Sequence, residues 1–269
     1  DALDAALALR GQGMSAIVTC LGENVGTEAE AAAVADHYIA VLDEVKHRGL
    51  DVEISVKLTH LGLDLGGGIA ASNLSRVARH ARTHSNRVWI DMEDSAYVEA
   101  TLDIFRRLQP EHPALGVCLQ AYLRRTPADL ESLVPMGPAI RLVKGAYKES
   151  AEVAFPLKKD VDERFEQIAL RLLSPAARQA GGWTVIGTHD TRLIRRIQDA
   201  ATAGGVPADA FEFALLFGIR RDEQARLAGE GRRVRILISY GEFWFPWYMR
   251  RLAERPANLW FLARSLFTR

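Results

Sequence analysis

Two basic residues sit inside segments that otherwise read as buried. Lys57 interrupts Ile54-Ser55-Val56-Lys57-Leu58, and Arg141 interrupts Ala139-Ile140-Arg141-Leu142-Val143. A buried charge costs several kcal/mol unless it is paired or used. Each is therefore half of an ion pair that stiffens an interior, or a working cation. Other polar groups close the neighbouring apolar runs: Glu23, Asp91-Met92-Glu93-Asp94, Gln120, Lys144, Thr188-His189-Asp190, and Tyr240 with Glu242. Beyond them stands Arg250-Arg251, beside Trp244, Phe245, Trp247 and Tyr248. Together with Lys57, two guanidinium forks would make a cationic pocket for a small carboxylate. Adjacent helical residues point about 100° apart, so both forks meet one anion only if their helix crosses the mouth of the site. The plain alternative is solvated surface charge, with Glu254 as the i+4 partner of Arg250.

The elements that must position these groups follow a beat. Short apolar runs occur at Ser15–Leu21, Val52–Leu58, Val88–Met92, Leu115–Ala121, Ile140–Val143, Thr184–Gly187, Phe211–Leu216 and Val234–Ile238. Most are continuous, as strands buried on both faces of a parallel sheet should be. Helically patterned segments follow them, over 28–47, 72–83, 96–108, 127–133, 162–173, 191–203, 222–229 and 246–254. Thr27 and Glu30 have the spacing of a capping box. Eight strands alternating with eight helices predict an α/β fold, a (β/α)8 TIM-type barrel, as a single domain over 1–269. Residues 1–12 read as a helical lead-in at the barrel bottom and 257–269 as a closing helix. The runner-up, an open doubly wound sheet, usually has fewer strands and a Gly-rich first turn. A barrel carries its chemistry at the C-terminal ends of its strands, which is where the polar groups fall. Tyr240, at the last such end, is expected to line the substrate site.

Composition removes several other classes. The 34 basic and 34 acidic residues cancel, so no basic field suits a nucleic acid. No apolar run is long enough to span a bilayer, and the first residues lack the pattern of a signal peptide. Cys20 and Cys118 are too few for a disulfide framework and read as small core residues in a reducing cytoplasm. Gly11-Gln12-Gly13-Met14-Ser15-Ala16 precedes a strand instead of following one, which is the wrong context for a dinucleotide turn. Gly66-Gly67-Gly68 lacks the Lys-Ser/Thr of a phosphate loop and reads as a loop. The histidines show neither H-x-H nor H-E-x-x-H spacing, and no metal is expected.

Arg141-Leu142-Val143-Lys144-Gly145-Ala146-Tyr147 and Tyr248-Met249-Arg250-Arg251-Leu252-Ala253-Glu254-Arg255-Pro256 resemble the flavin-dependent proline dehydrogenases. Ser55-Val56-Lys57-Leu58-Thr59, Asp91-Met92-Glu93, Leu119-Gln120-Ala121-Tyr122 and Thr188-His189-Asp190 match in order and spacing. The resemblance runs from about Gly22 to the C-terminus, one motif per strand end. It implies a (β/α)8 barrel holding FAD, which oxidises L-proline to Δ1-pyrroline-5-carboxylate and passes the electrons to a quinone. It also implies roles for single residues. Lys57, Arg250 and Arg251 match ligands of the substrate carboxylate, and Asp91 and Arg141 match active-site participants. Met92, Gln120, Lys144, Gly145, Ala146, Thr188 and His189 match flavin contacts. Glu23 matches a first-loop glutamate that pairs with the first arginine of the pair and so gates the site. A quinone acceptor leaves open a peripheral contact with the inner face of a membrane. Two features depart from the family: Trp247 stands where a tyrosine is common, and residues 1–12 are a short counterpart of the helices that usually precede the first strand. Two other readings of the residues remain: a Schiff-base aldolase using Lys144, or a non-catalytic barrel that binds a carboxylate.

Overall fold

The computed structural model describes residues 2–241. Eight parallel strands pair in sequence order and close, the first against the last. They are β1 (Ser15–Cys20), β2 (Val52–Val56), β3 (Val88–Ile90), β4 (Leu115–Gln120), β5 (Ala139–Val143), β6 (Trp183–Gly187), β7 (Phe211–Leu216) and β8 (Arg233–Tyr240). Outside them lie α1 (Ala2–Arg10), α2 (Glu28–His47), α3 (Gly67–Thr83), α4 (Val98–Leu108), α5 (Thr126–Leu133), α6 (Lys158–Leu172), α7 (Pro175–Gln179), α8 (Thr191–Ala203) and α9 (Arg221–Gly229). The (β/α)8 barrel expected from the alternating pattern is the fold. The segments expected to be helical at 246–254 and 257–269 lie outside the described residues.

Local chemistry explains the bounds. Thr27 and Glu30 form the expected capping box: the Glu30 amide donates to Thr27 Oγ1 at 3.2 Å, and the Thr27 amide donates to Glu30 Oε2 at 2.9 Å. The glycine triplet is not a loop, because Gly67 and Gly68 form the first turn of α3 and Gly66, at φ 156°, precedes it. α7 was not expected; Ser174 caps it and Pro175 supplies a preset first φ.

Strand alternation divides the side chains into two populations. Even-numbered positions of β3 and β8, such as Val88, Ile90, Ile236 and Ile238, join the large core between strands and helices. Ile17, Trp89, Ala139, Val185 and Ala214 form a second cluster inside the barrel. Gly116 gives Trp89 its space: a Cβ there would stand 2.5 Å from the indole. Below Trp89, Arg235 donates to both oxygens of Glu212 at 2.6 and 2.9 Å, and to Asp51 at 3.1 Å. Glu53 accepts from the Trp89 indole at 2.6 Å and from Arg87 at 3.2 Å. Burial raises the Glu53 carboxyl against the pull of Arg235 and Arg87.

Removing one partner from such a cluster strands the others without compensation. Arg235→Met is therefore expected to lower unfolding free energy by about 3–5 kcal/mol, read as a lower urea midpoint with an unchanged slope. An unchanged midpoint would show that the two glutamates take up protons at no net cost.

Candidate active site

At the other end of the same interior faces, four strands meet around one guanidinium. Arg141 on β5 is only 4% exposed. Its Nη2 donates to Asp91 Oδ1, just past β3, and to Ser55 Oγ on β2 at 2.9 Å. Its Nε donates to Cys118 Sγ on β4 at 2.7 Å. The Ser55 hydroxyl donates to Asp91 Oδ1 at 2.9 Å, which closes the ring of contacts. Arg141 also lies over Trp89, 5.4 Å from the ring centroid. Burial pushes the Cys118 thiol up to about 11 although Arg141 favours the thiolate. It therefore stays a neutral thiol, able to accept from Arg141. One nitrogen of the fork, Nη1, is buried with no hydrogen-bond partner among the described residues.

Lys57 and Glu23 stand beside this group. Lys57 Nζ donates to Glu23 Oε2 at 3.0 Å, with side-chain exposures of 13% and 21%. Glu23 thus pairs with Lys57 here, and the expected partner Arg250 lies outside the described residues, as do Arg251, Glu242 and Trp247. Nearby His60 is held neutral, pushed down to about 4 by burial and then by Lys57.

The ends of β4, β5 and β6 carry the remaining expected residues. Gln120 is buried; its Nε2 donates to the carbonyls of Met92 and Glu93 at 3.2 Å each, while Oε1 has no partner among the described residues. Met92 is buried beside it. Gly145 has φ +116°, and a Cβ there would stand 2.2 Å from the Tyr122 ring, so only glycine lets the chain turn so close above β5. Ala146 follows in irregular, half-buried backbone. The Leu216 amide donates to His189 Nε2 at 2.9 Å, which puts the neutral ring's proton on Nδ1. Thr188 Oγ1 accepts from the Asp190 amide at 3.2 Å. Lys144 donates to Asp162 at 2.5 Å and to Asp190 at 3.2 Å, across β5, α6 and the β6 end. Burial raises Asp190, but hydrogen bonds from Lys158 and Lys144 outweigh it and hold the carboxylate low.

Tyr240 does not join this group. Its position in β8 turns it outward with Ile236 and Ile238, where it packs on the outer core. There its hydroxyl lies 2.8 Å from His37 Nε2 on α2.

A model of the proline dehydrogenase family matches residues 2–264. Proline dehydrogenase 1 of Bacillus subtilis subsp. natto is 40% identical over 259 residues, covering 96% of this chain and 84% of that protein. Proline dehydrogenase of Deinococcus radiodurans is 37% identical over 271 residues, covering 99% and 86%. This chain belongs to the proline dehydrogenase family. The barrel of proline utilization A (PutA) from Bdellovibrio bacteriovorus, in a crystal structure inactivated by N-propargylglycine, superposes with a TM-score of 0.83 at 24% identity. The match takes in 90% of this chain and 30% of that much longer one, and it shows the shared fold.

Three residues make contacts here to which the sequence assigns no role of their own. Ser55 read as part of a motif without a role, and Cys118 read as a small core residue, yet both bond Arg141. Glu93 is the third. Thr59 donates to it twice, from Oγ1 at 2.5 Å and from its amide at 3.1 Å. Burial nevertheless pushes the carboxyl up to about 7.

A raised carboxyl binds its proton more readily folded than unfolded. Between about 4.5 and about 7 the native state therefore holds the extra proton, and this group's stabilisation is lost as pH rises through that window. Glu93→Gln, which cannot ionise, is expected to gain in melting temperature relative to the parent from about pH 5 to about pH 8. A difference that stays constant with pH would show that Glu93 is ionised throughout.

Proposed function

We propose that this single-domain barrel oxidises L-proline to Δ1-pyrroline-5-carboxylate with FAD at the ends of β4, β5 and β6, and that a quinone takes the electrons. The observation that carries the reading is Arg141: a buried guanidinium fixed on two of its nitrogens, with the third buried and without a partner among the described residues. Gln120 Oε1 on the adjacent strand, which likewise has no partner among the described residues, adds an acceptor to that donor. A heteroaromatic ring with donors and acceptors along one edge suits this pair, so the residues fit a flavin. Gln120, Met92, Lys144, Gly145, Ala146, Thr188 and His189 would hold it. When bound, FAD supplies the two-electron acceptor for the hydride on the carbon beside the substrate nitrogen.

The chain's own residues do the rest. Lys57, with Arg250 and Arg251, binds the proline carboxylate and so fixes the ring by one end. The same cations disfavour the protonated amine, and the neutral amine's lone pair is what stabilises an iminium as hydride leaves. Arg141 places a fixed positive charge where negative charge accumulates, and Asp91 and Ser55 keep it from turning away. Glu23 holds Lys57 until substrate arrives. Released by the incoming carboxylate, it becomes the partner for Arg250 and shields the site from water.

The aldolase alternative needs Lys144 as an amine nucleophile. Bonded to Asp162 and Asp190, Lys144 acts instead as a point charge. Among the described residues no helix is long and apolar enough to cross a membrane. A reducing cytoplasmic location with peripheral access to a quinone is the reading we favour.

The deciding test is the visible spectrum of the purified protein before and after anaerobic L-proline: flavin bands should be present and should bleach. A colourless protein trapped by borohydride with a carbonyl substrate would restore the aldolase. Lys57→Met should keep its flavin and raise KM for proline at least about tenfold, as loss of a charge-assisted contact of about 1.5–3 kcal/mol requires. Gln120→Ala should lower the flavin-to-protein ratio without unfolding the barrel; a full complement of flavin would place the ring elsewhere.

A further inference from the structure

Away from the mouth, α2 and α3 bring together a set of metal-ligating atoms that the redox chemistry does not use. His80 and His84 lie four residues apart at the C-terminal end of α3, so their side chains rise from one face on consecutive turns. Both Nε2 atoms point at one oxygen of Asp43 on α2, at 2.6 and 2.9 Å from Oδ1. The rings meet edge to face with centroids 4.8 Å apart, and the three donor atoms all lie within 4.8 Å of one another.

The surroundings hold this geometry in place. Arg76 pairs with Asp36 one turn along the same pair of helices, which fixes their register. His84 is the C-cap of α3, and the turn after it is tied down by the Asn86 amide on Ala81 O at 2.9 Å and by Asn86 Nδ2 on Val52 O at 2.8 Å. The imidazole side chains are 29% and 19% exposed, so an ion can reach them from solvent.

We propose that Asp43, His80 and His84 bind one divalent transition-metal ion of the zinc class, which clips α2 to α3. Two imidazoles and one carboxylate are a recurrent zinc ligand set, with water completing the sphere. Zinc bonds of about 2.0–2.2 Å place ligand atoms roughly 3.3 Å apart in a tetrahedron. Small side-chain rotations bring the present atoms to that spacing. In the metal-free arrangement each Nε2 needs a proton to donate to Asp43; the ion takes the place of those two protons. Magnesium and calcium prefer all-oxygen shells and are excluded by the imidazoles. Glu23 and Lys57 lie beyond the opposite ends of these helices, so the clip acts on stability and leaves the redox site alone.

Calorimetric titration of the purified flavoprotein with Zn2+ alone tests this. One equivalent should bind, Mg2+ should not displace it, and saturating Zn2+ should raise the melting temperature. His80→Ala, His84→Ala and Asp43→Asn should each weaken binding at least about tenfold, the cost that even outer partners of a metal site carry. They should also abolish the thermal shift and leave metal-free proline oxidation unchanged. His47→Ala, an exposed histidine on α2 outside the cluster, should bind Zn2+ as the parent does. Absence of binding at tens of micromolar Zn2+, displacement by Mg2+, or equal affinity in the His80 and His84 variants would overturn the proposal.

Discussion

One buried guanidinium organises the upper half of this barrel. Arg141 is nearly inaccessible, and an unpaired charge there would cost several kcal/mol. Its partners come from β2, the β3 end and β4, so no local segment can satisfy it. The contacts exist only when these strands lie in their final register. Pairing of β2 through β5 and assembly of this cluster are therefore the same event. A buried ion pair of this kind contributes little stability over a well-packed apolar replacement. Its presence is better explained by chemistry that needs a fixed charge.

The lower cluster sharpens that contrast. Arg235 is as buried as Arg141, yet all three of its nitrogens donate, to Glu212, Asp51 and the Ala16 carbonyl. Among the described residues, Arg141 Nη1 has no partner. Trp89 separates the two, taking the upper arginine on its ring and giving its indole N–H to Glu53 below. A satisfied cluster is scaffold. On the reading proposed here, the spare donor and the neighbouring acceptor of the upper cluster serve a ligand.

How much of this could be read from residues alone depends on the range of the interaction. Strand runs and the Thr27–Glu30 box are local, and they appear with bounds shifted by only a few residues. Lys57 and Arg141 stood out because charge inside an apolar run is itself a signal. Ser55 and Cys118 sent none, since a hydroxyl or a thiol in a strand is unremarkable until its neighbour is known. The partners of Lys144 come from α6 and the β6 end, a pairing that no spacing along the chain encodes. Tyr240 was a failure of a different kind. Position at a strand end says nothing about which face a side chain takes; counting by twos from Arg235 and Leu237 would have turned it outward.

The Glu23–Lys57 pair shows how a loop carboxylate can hold the ammonium that, on the reading proposed here, receives the substrate carboxylate. Lys57 is only 13% exposed, and without a partner its charge would stand largely uncompensated. Glu23 neutralises it from the neighbouring β1 loop. A substrate carboxylate with a second cationic contact can displace it at small cost, because the ammonium keeps a carboxylate partner throughout. The exchange is one carboxylate for another on the same ammonium, and the net charge of the pocket hardly changes. It also frees Glu23 at the moment the site fills, and on the reading proposed here that is when Arg250 needs a partner. On that reading a loop glutamate links occupancy to closure, because the energies on either side of the exchange are nearly equal.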